Sequence, residues 1–428
     1  MSSNHSTMKP MKVKTKRFKP KHQKAKLFRA SEPLFSVFMW GINHTINELT
    51  HVNTPVMLMP DDFKAYTKVK IDNHCFNKEN MPSHFKVKEY CPLVFQNLRE
   101  RFHIDDVDYM NSLTKHQPRE HLVSGKTSTK FYESYDRLFL LKILTTEEVE
   151  SMHHLLKEYH PYIVERHGKT LLPQYLGMYR ITVDGAETYI CVMRNICSSQ
   201  FINVHRIYDL KGSTVDREAS EKDKTLDVPI YKDNDFTRDG VRIYADEEWK
   251  KKFFEMLEAD TTFLMRKNIM DYSLCVAIHD CERAEQEAQQ RQADGLTSQF
   301  SAEDEEAETS GDNCCQDQGP NSMLSPPDSP ESQSQPKMSA DSDNFLIYSS
   351  ENAIDPSRDI YAVIATKESP RREIYFIGIV DILTQFGIRK RTALAAKTVK
   401  HGTTAEISTV HPEQYAKRFC EFITKVIQ

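Results

Sequence analysis

No stretch of about 18 consecutive apolar residues occurs in this 428-residue chain, which excludes a membrane-spanning helix. The Lys-rich N-terminus has no apolar core and is not read as a secretory signal. None of the nine cysteines stands in a CxxC pair, and the single close pair, Cys314-Cys315, sits in a polar tract. They read as reduced cytosolic thiols, neither a disulfide framework nor a zinc site. The protein-kinase signatures HRD, DFG and APE are absent, which sets that class aside. No acid precedes Glu32, and no internal repeat is present.

What is present reads as a globular chain, 39% hydrophobic and 28% charged, long enough for one two-lobed domain or two ordinary domains. The net charge of -5 is unevenly spread. Asp280 to Asp343 holds 16 acidic and 3 basic residues, a net of -13, so the remainder carries +8. A basic body is drawn to an anionic membrane surface. Residues 1–30 read as a disordered basic tail, either solvated or helping at a membrane or in nuclear import. Residues 285–344, rich in Glu, Asp, Gln, Ser and Pro, bury too little apolar surface to order themselves. They read as a disordered acidic insert between two strands of one lobe, with Ser325 and Ser329, each followed by Pro, as candidate phosphorylation sites.

Periodicity predicts helices over Pro33–Leu49, Tyr90–Phe102, Thr145–Tyr159, Glu247–Asn268 and Tyr415–Ile427. Short strands are expected at Val56–Leu58 and Val69–Ile71. A hairpin is expected over Phe131–Leu144, turning at Tyr135-Asp136-Arg137, and a second over Gly177–Asn195, turning at Asp184-Gly185. Buried strands are expected at Tyr272–Ile278 and Glu373–Ile382. The whole is an α+β pattern, an antiparallel sheet with helices beside it in the first half.

Three positions carry chemical interest. Lys142 lies near the end of the apolar run LFLLK. It needs an anionic partner if it stays inside, although pattern alone favours a strand-end lysine that reaches solvent. Asp271, in IMDYSL, sits at a helix–strand junction, where the plain reading is a cap. Asp381, in IGIVDIL, interrupts an apolar strand, and a buried carboxylate calls for a metal or a cation. A cation on nucleotide phosphates, a carboxylate for Mg²⁺ and a carboxylate for an attacking hydroxyl are the parts phosphoryl transfer needs. Two weaker signals accompany them: SGKTSTKF from Ser124, a single-glycine loop with Gly125, and YDLKGST from Tyr208. The segment after Asp381, with Arg389, Lys390, Arg391, Lys397 and Lys400 among apolar residues, is either a solvated basic loop or an element that docks on anionic lipid.

Taken together, YDLKGST, IMDYSL, VDIL and KTVKHG followed by AEISTV resemble the phosphatidylinositol phosphate kinase family. So do NHTINEL, PVMLMPDDFKA, NLRERF and TLLPQYLGMYR. The likeness runs from about residue 25 to 428 apart from the insert and points to the type II branch, the phosphatidylinositol 5-phosphate 4-kinases. The resemblance implies a two-lobed lipid kinase, with the N-terminal lobe over residues 31–196 and the C-terminal lobe over 197–428. Its implied chemistry uses ATP and Mg²⁺, with Lys142 and Gly125 at the nucleotide, Asn195 beside the purine and Lys211 near the phosphates. Asp271 is implied as the catalytic aspartate and Asp381 as the Mg²⁺ ligand. The basic segment is implied as the specificity loop, where Ala393 stands at a position that type II enzymes fill with alanine. The implied partner is phosphatidylinositol 5-phosphate in an anionic membrane. A peripheral cytoplasmic location and a homodimer, or a heterodimer with relatives, are implied too, and no nucleic acid. Departures from the family pattern are Ser128 where a second glycine is usual, Met193 and Cys197 around Asn195, and Ser151 where a glutamate should face Lys142. Glu147, Glu148 and Glu150 all stand close to that register. The rival reading is a poorly catalytic phosphoinositide-binding scaffold.

Overall fold

The computed structural model describes residues 30–72, 81–82, 84–121, 129–199, 202–291, 354–355, 358–387 and 410–428. Helix α1 (Pro33–Leu49) has the bounds its apolar stripe predicts, and proline opens it, where a missing N–H is no loss. Its buried face, including Phe35, Phe38, Ile42 and Ile46, packs on a sheet. Gly41 allows that approach, since a Cβ there would lie 2.8 Å from Val87 Cγ1.

That sheet comprises β1 (Tyr66–Asp72), β2 (His84–Tyr90), β3 (Arg119–His121), β4 (Phe131–Glu133), β5 (Phe139–Leu144), β6 (Tyr175–Val183) and β7 (Ala186–Arg194). Its order is β1-β2-β6-β7-β5-β4-β3, antiparallel throughout. Helices α2 (Pro92–Arg101), α3 (Asp106–Thr114) and α4 (Thr146–Glu165) complete this half. Both predicted hairpins form. Asp184 and Gly185 take φ of 49° and 84°, the left-handed pair that a two-residue turn between twisted strands requires.

Two expectations fail here. Val56–Leu58 is not a strand: the segment lies between Pro55 and Pro60 as a loop, with Val56 and Met57 exposed. An apolar run forms a strand only where a neighbour completes its ladder, and pairing starts at Tyr66. Helix α4 runs past the expected Tyr159, through Pro161, to Glu165. Burial of Ile163 and stacking of Tyr162 on Phe263 at 4.3 Å outweigh the hydrogen bond that Pro161 removes.

The second sheet has the order β11-β12-β10-β8-β9, from β8 (Arg206–Leu210), β9 (Ile230–Lys232), β10 (Ser273–Asp280), β11 (Ala362–Ile364) and β12 (Glu373–Val380). Its pairs are antiparallel except β8 with β9, which is parallel. Around it stand α5 (Glu221–Lys224), α6 (Asp233–Arg238), α7 (Glu247–Arg266) and a C-terminal helix (Pro412–Val426). The fold is α+β, as the pattern predicts. Strands β10 and β12 pair over their full length, Ser273 with Val380 through Asp280 with Glu373. The insert therefore does leave and re-enter one sheet. A helix over 281–291 continues from β10, so residues 285–291 of the expected insert are helical, and its remainder, with Ser325 and Ser329, lies outside the described residues. The basic tail lies outside them too, apart from Ala30.

The two halves share one apolar core and a polar joint. Asp260 of α7 is fully buried and accepts from Tyr162 Oη at 2.5 Å, Thr170 Oγ1 at 2.8 Å and the Leu171 amide at 2.6 Å. Burial raises its pKa to about 6 against the pull of those hydrogen bonds. The Leu171 carbonyl in turn accepts from the Ile379 amide of β12 at 2.7 Å.

Candidate active site

Strand register decides where the predicted carboxylates emerge. Ser273, at the start of β10, pairs with Val380, at the end of β12. Leu274 pairs with Leu210, at the end of β8. Asp381 and Lys211 are the next residues outward and Asp271 lies two residues before Ser273, so all three issue from one end of three adjacent strands. Both aspartates take left-handed backbone, with φ of 68° at Asp271 and 62° at Asp381. A short polar side chain tolerates that region better than an apolar one, and such conformations cluster at functional sites.

Asp381 differs from its expected setting. It does not interrupt a buried strand: β12 stops at Val380, and the Asp381 side chain is 59% exposed. The turn to left-handed φ lifts the carboxylate out of the apolar ladder that the sequence suggested would enclose it.

Lys142 also differs from what pattern alone favours. It is buried, at 7% exposure, on β5 of the first sheet. Its Nζ lies 3.0 Å from Glu148 Oε1 and 3.5 Å from Asp381 Oδ1. Burial alone would lower the lysine pKa, but Asp381 and Glu148 outweigh it and hold the ammonium above its ordinary value. Among the three acids near the register, Glu148 is therefore the partner. Its other oxygen accepts from the Thr145 amide at 2.9 Å, and Thr145 Oγ1 accepts from the Glu148 amide at 3.2 Å. This capping box fixes the first turn of α4 and aims Glu148 at Lys142. Facing Lys142 across the strand pair, the Cys191 thiol is pushed up to about 12 by burial and stays neutral.

Lys211 contacts the other carboxylate. Its Nζ donates to Asp271 Oδ1 at 3.0 Å and to the Asp271 carbonyl at 2.7 Å. Two lysine–aspartate pairs thus stand where the sheets meet, Lys142 with Asp381 between the sheets and Lys211 with Asp271 within the second. Sequence reasoning selected all four residues and did not pair them.

Asn195 lies just past β7, with its side chain engaged by protein. Its Nδ2 donates to the Arg137 carbonyl at 2.9 Å, and its Oδ1 accepts from the Cys197 amide at 3.0 Å. Here it shapes the connection between the lobes. Gly125, Ser128, Arg389, Lys390, Arg391, Ala393, Lys397 and Lys400 lie outside the described residues.

Three residues that sequence reading passed over hold the Lys211 turn: Asp209, Arg217 and Asp233. Arg217 Nε donates to Asp233 Oδ2 at 2.7 Å, and its guanidinium reaches Asp209 Oδ2 at 3.0 Å. The available signal was the density of charge in YDLKGSTVDR and YKDND, which alone does not separate buried ion pairs from a solvated surface.

A carboxylate at a strand end beside a lysine suits Mg²⁺, which binds through one or two carboxylates plus substrate phosphates rather than a protein cage. Among the described residues no group of three or more acidic, His or Cys side chains forms such a cage. The exposed Asp381 carboxylate fits that mode.

Residues 112–426 match the family model described as Phosphatidylinositol-4-phosphate 5-Kinase. The chain is 54% identical over 408 residues to phosphatidylinositol 5-phosphate 4-kinase type-2 beta of Homo sapiens, spanning 95% of this chain and 92% of that protein. It is 52% identical over 418 residues to the type-2 alpha protein of Homo sapiens, and 51% identical over 416 residues to that of Gallus gallus. Each of these two comparisons spans 97% of this chain and 96% of the relative.

Proposed function

The chain belongs to the phosphatidylinositol phosphate kinase family, and we propose that it phosphorylates phosphatidylinositol 5-phosphate on its 4-hydroxyl, giving the 4,5-bisphosphate. The observation that carries the reading is the pair of lysine–aspartate contacts gathered at the strand ends. ATP is the donor. Lys142, held by Glu148, neutralises nucleotide phosphate charge. Asp381 holds Mg²⁺, which when bound neutralises charge on the transferring phosphoryl group. Asp271 orients the inositol 4-hydroxyl and accepts its proton. The hydroxyl oxygen bonds to the γ-phosphorus as the bond to the β-phosphate oxygen breaks, and ADP departs. Lys211 fixes the Asp271 carboxylate and offsets its charge. Asn195 shapes the wall beside the purine.

The protein works peripherally on the cytoplasmic face of anionic membranes. Among the described residues no helix is long and apolar enough to cross a bilayer. Lys68 stands opposite Lys88, and Lys70 opposite Lys86, on β1 and β2, with Arg180 beside Lys88 on β6. Their alternate neighbours Phe85 and Val87 are buried, so the basic residues share the outer sheet face. Lys70 and Arg180 have acidic partners in Asp72 and Glu187, but the face stays net basic, and like charges directly opposite are destabilising, which supports an anionic surface as its counterpart. Among the described residues β1 is an edge strand of its sheet, and this supports association through the N-terminal lobes, as a homodimer or with a relative. The basic segment with Arg389 to Lys400 and Ala393 selects the 5-phosphate lipid, a reading that rests on the family resemblance. Glu148 beside Lys142 supplies the acid that Ser151 fails to supply, which weighs against a scaffold without turnover.

The test is transfer of radiolabel from ATP to vesicles carrying phosphatidylinositol 5-phosphate or 4-phosphate, with Asp381→Asn as control. Labelling of the 5-phosphate lipid that depends on Asp381 supports the reading. Lipid and nucleotide binding with no label above the Asp381→Asn background would overturn it in favour of the scaffold.

A further inference from the structure

Asp233 is 2% exposed, and a buried carboxylate needs compensation by charge or hydrogen bonds. It has both, from the turn that carries Lys211 and from Arg217 just beyond it. Its Oδ1 accepts from three consecutive amides: Lys211 at 2.9 Å, Gly212 at 2.7 Å and Ser213 at 3.4 Å. Converging backbone N–H groups around a left-handed residue make a nest for an anion, and Gly212, at φ 64°, supplies that residue. The nest holds the protein's own carboxylate. Oδ2 accepts from Arg217, whose guanidinium also reaches Asp209, two residues before Lys211 on β8. The turn is closed from the far side by the C-terminal helix. A Cβ on Gly212 would lie 3.1 Å from the Arg418 carbonyl oxygen and 3.1 Å from Phe422 Cβ.

We infer that Asp233 is a positioning residue for phosphoryl transfer, holding the Lys211–Ser213 backbone so that Lys211 Nζ reaches Asp271. A lysine is a point charge on a flexible stem, so where its ammonium falls depends on where its backbone is fixed. Arg217 completes the clamp by tying Asp233 to the end of β8. The inference rests on the lipid-kinase reading for its consequence, but not for the clamp itself.

The test uses the full chain with Asp233→Asn, Lys211→Met, the double variant, and Asp235→Asn as a control. Asp235 is equally buried on the same short helix but holds Ala219, Lys232 and Arg238 instead. Asp233→Asn is expected to lower kcat about ten- to a hundredfold, the scale of a small misplacement at a reacting centre. The KM values for ATP and for phosphatidylinositol 5-phosphate vesicles should stay unchanged. In the Lys211→Met background Asp233→Asn should add nothing. Full kcat in Asp233→Asn, additive losses, or an equal kcat loss in Asp235→Asn would overturn the inference. Hydrogen exchange at the amides of 211–213 reads the clamp without turnover. Faster exchange in Asp233→Asn but not in Asp235→Asn supports it, and unchanged exchange overturns it. A wild type with no lipid labelling but a normal exchange pattern would refute the proposed function and leave the clamp standing. If Asp233→Asn does not fold, Arg217→Gln takes its place, with a smaller kcat loss and the same non-additivity.

Discussion

Glu148 binds in two directions. One carboxylate oxygen accepts from the Thr145 amide at 2.9 Å and closes the capping box of α4, while the other lies 3.0 Å from Lys142 Nζ. Placement of the buried lysine is thus tied to the integrity of a helix N-terminus whose cap, Thr145, follows it by three residues.

That double use separates two substitutions. Glu148→Gln keeps an acceptor for the Thr145 amide and removes the charge facing Lys142. It is expected to lower kcat/KM for ATP about tenfold or more, with thermal stability little changed. Glu148→Ala loses the cap as well and should cost about 1 kcal/mol of stability in addition. Steady-state kinetics with denaturant melts of both variants check this. Wild-type kcat/KM for ATP in Glu148→Gln would show that the charge has no role of its own.

Asp260 joins the lobes through three donors, Tyr162 Oη, Thr170 Oγ1 and the Leu171 amide. Asp260→Ala should destabilise the protein by about 3–5 kcal/mol, by analogy with breaking a buried polar pair. Asp260→Asn, which keeps one acceptor oxygen and adds a donor, should cost about 1–3 kcal/mol. Urea melts of the two variants check the order. A loss below 1 kcal/mol in Asp260→Ala, on the order of a surface change, would show the joint is redundant.

Glu89 of β2 is fully buried beside Arg99 and Asp106, with Tyr179 Oη 3.3 Å from its Oε1. Burial raises its pKa to about 7, against the opposing pull of Arg99 and Tyr179. The folded state then binds this proton more tightly than the unfolded state, whose carboxyl has the ordinary value of 4.5. Its contribution to stability is therefore full below pH 4.5, falls as pH rises toward 7 and is flat above. Glu89→Gln should remove this fall without moving the rest of the pH profile. Stability curves of both proteins from pH 5 to 8 check it, and parallel curves would show that Glu89 does not hold its proton.

Local pattern was a good guide where contacts are local. The helix over Pro33–Leu49 and the turns at Asp136-Arg137 and Asp184-Gly185 follow from side-chain period and turn residues, and at Asp184-Gly185 from residues that tolerate left-handed backbone. The apolar run Val56–Leu58 misled, because a strand is a property of two segments and only one was in view. At the site, the motifs marked Lys142, Lys211, Asp271 and Asp381 as residues but carried no distances. Asp381 looked enclosed because strand-like residues surround it in sequence. Its positive φ, which no side-chain pattern records, turns it outward.

The sequence by itself determined the α+β class, the family, the insertion of an acidic segment within one lobe and the four charged residues of the candidate site. Tertiary structure alone decided that Glu148 is the acid that meets Lys142, that Asp381 stands at a strand end, and that Asp233 holds the Lys211 turn. The physical reason is range. Helix periods, turns and capping boxes act over a few residues, so sequence displays them. The energy of a charge depends on its burial and its partners, and those of Lys142 include a carboxylate 239 positions away.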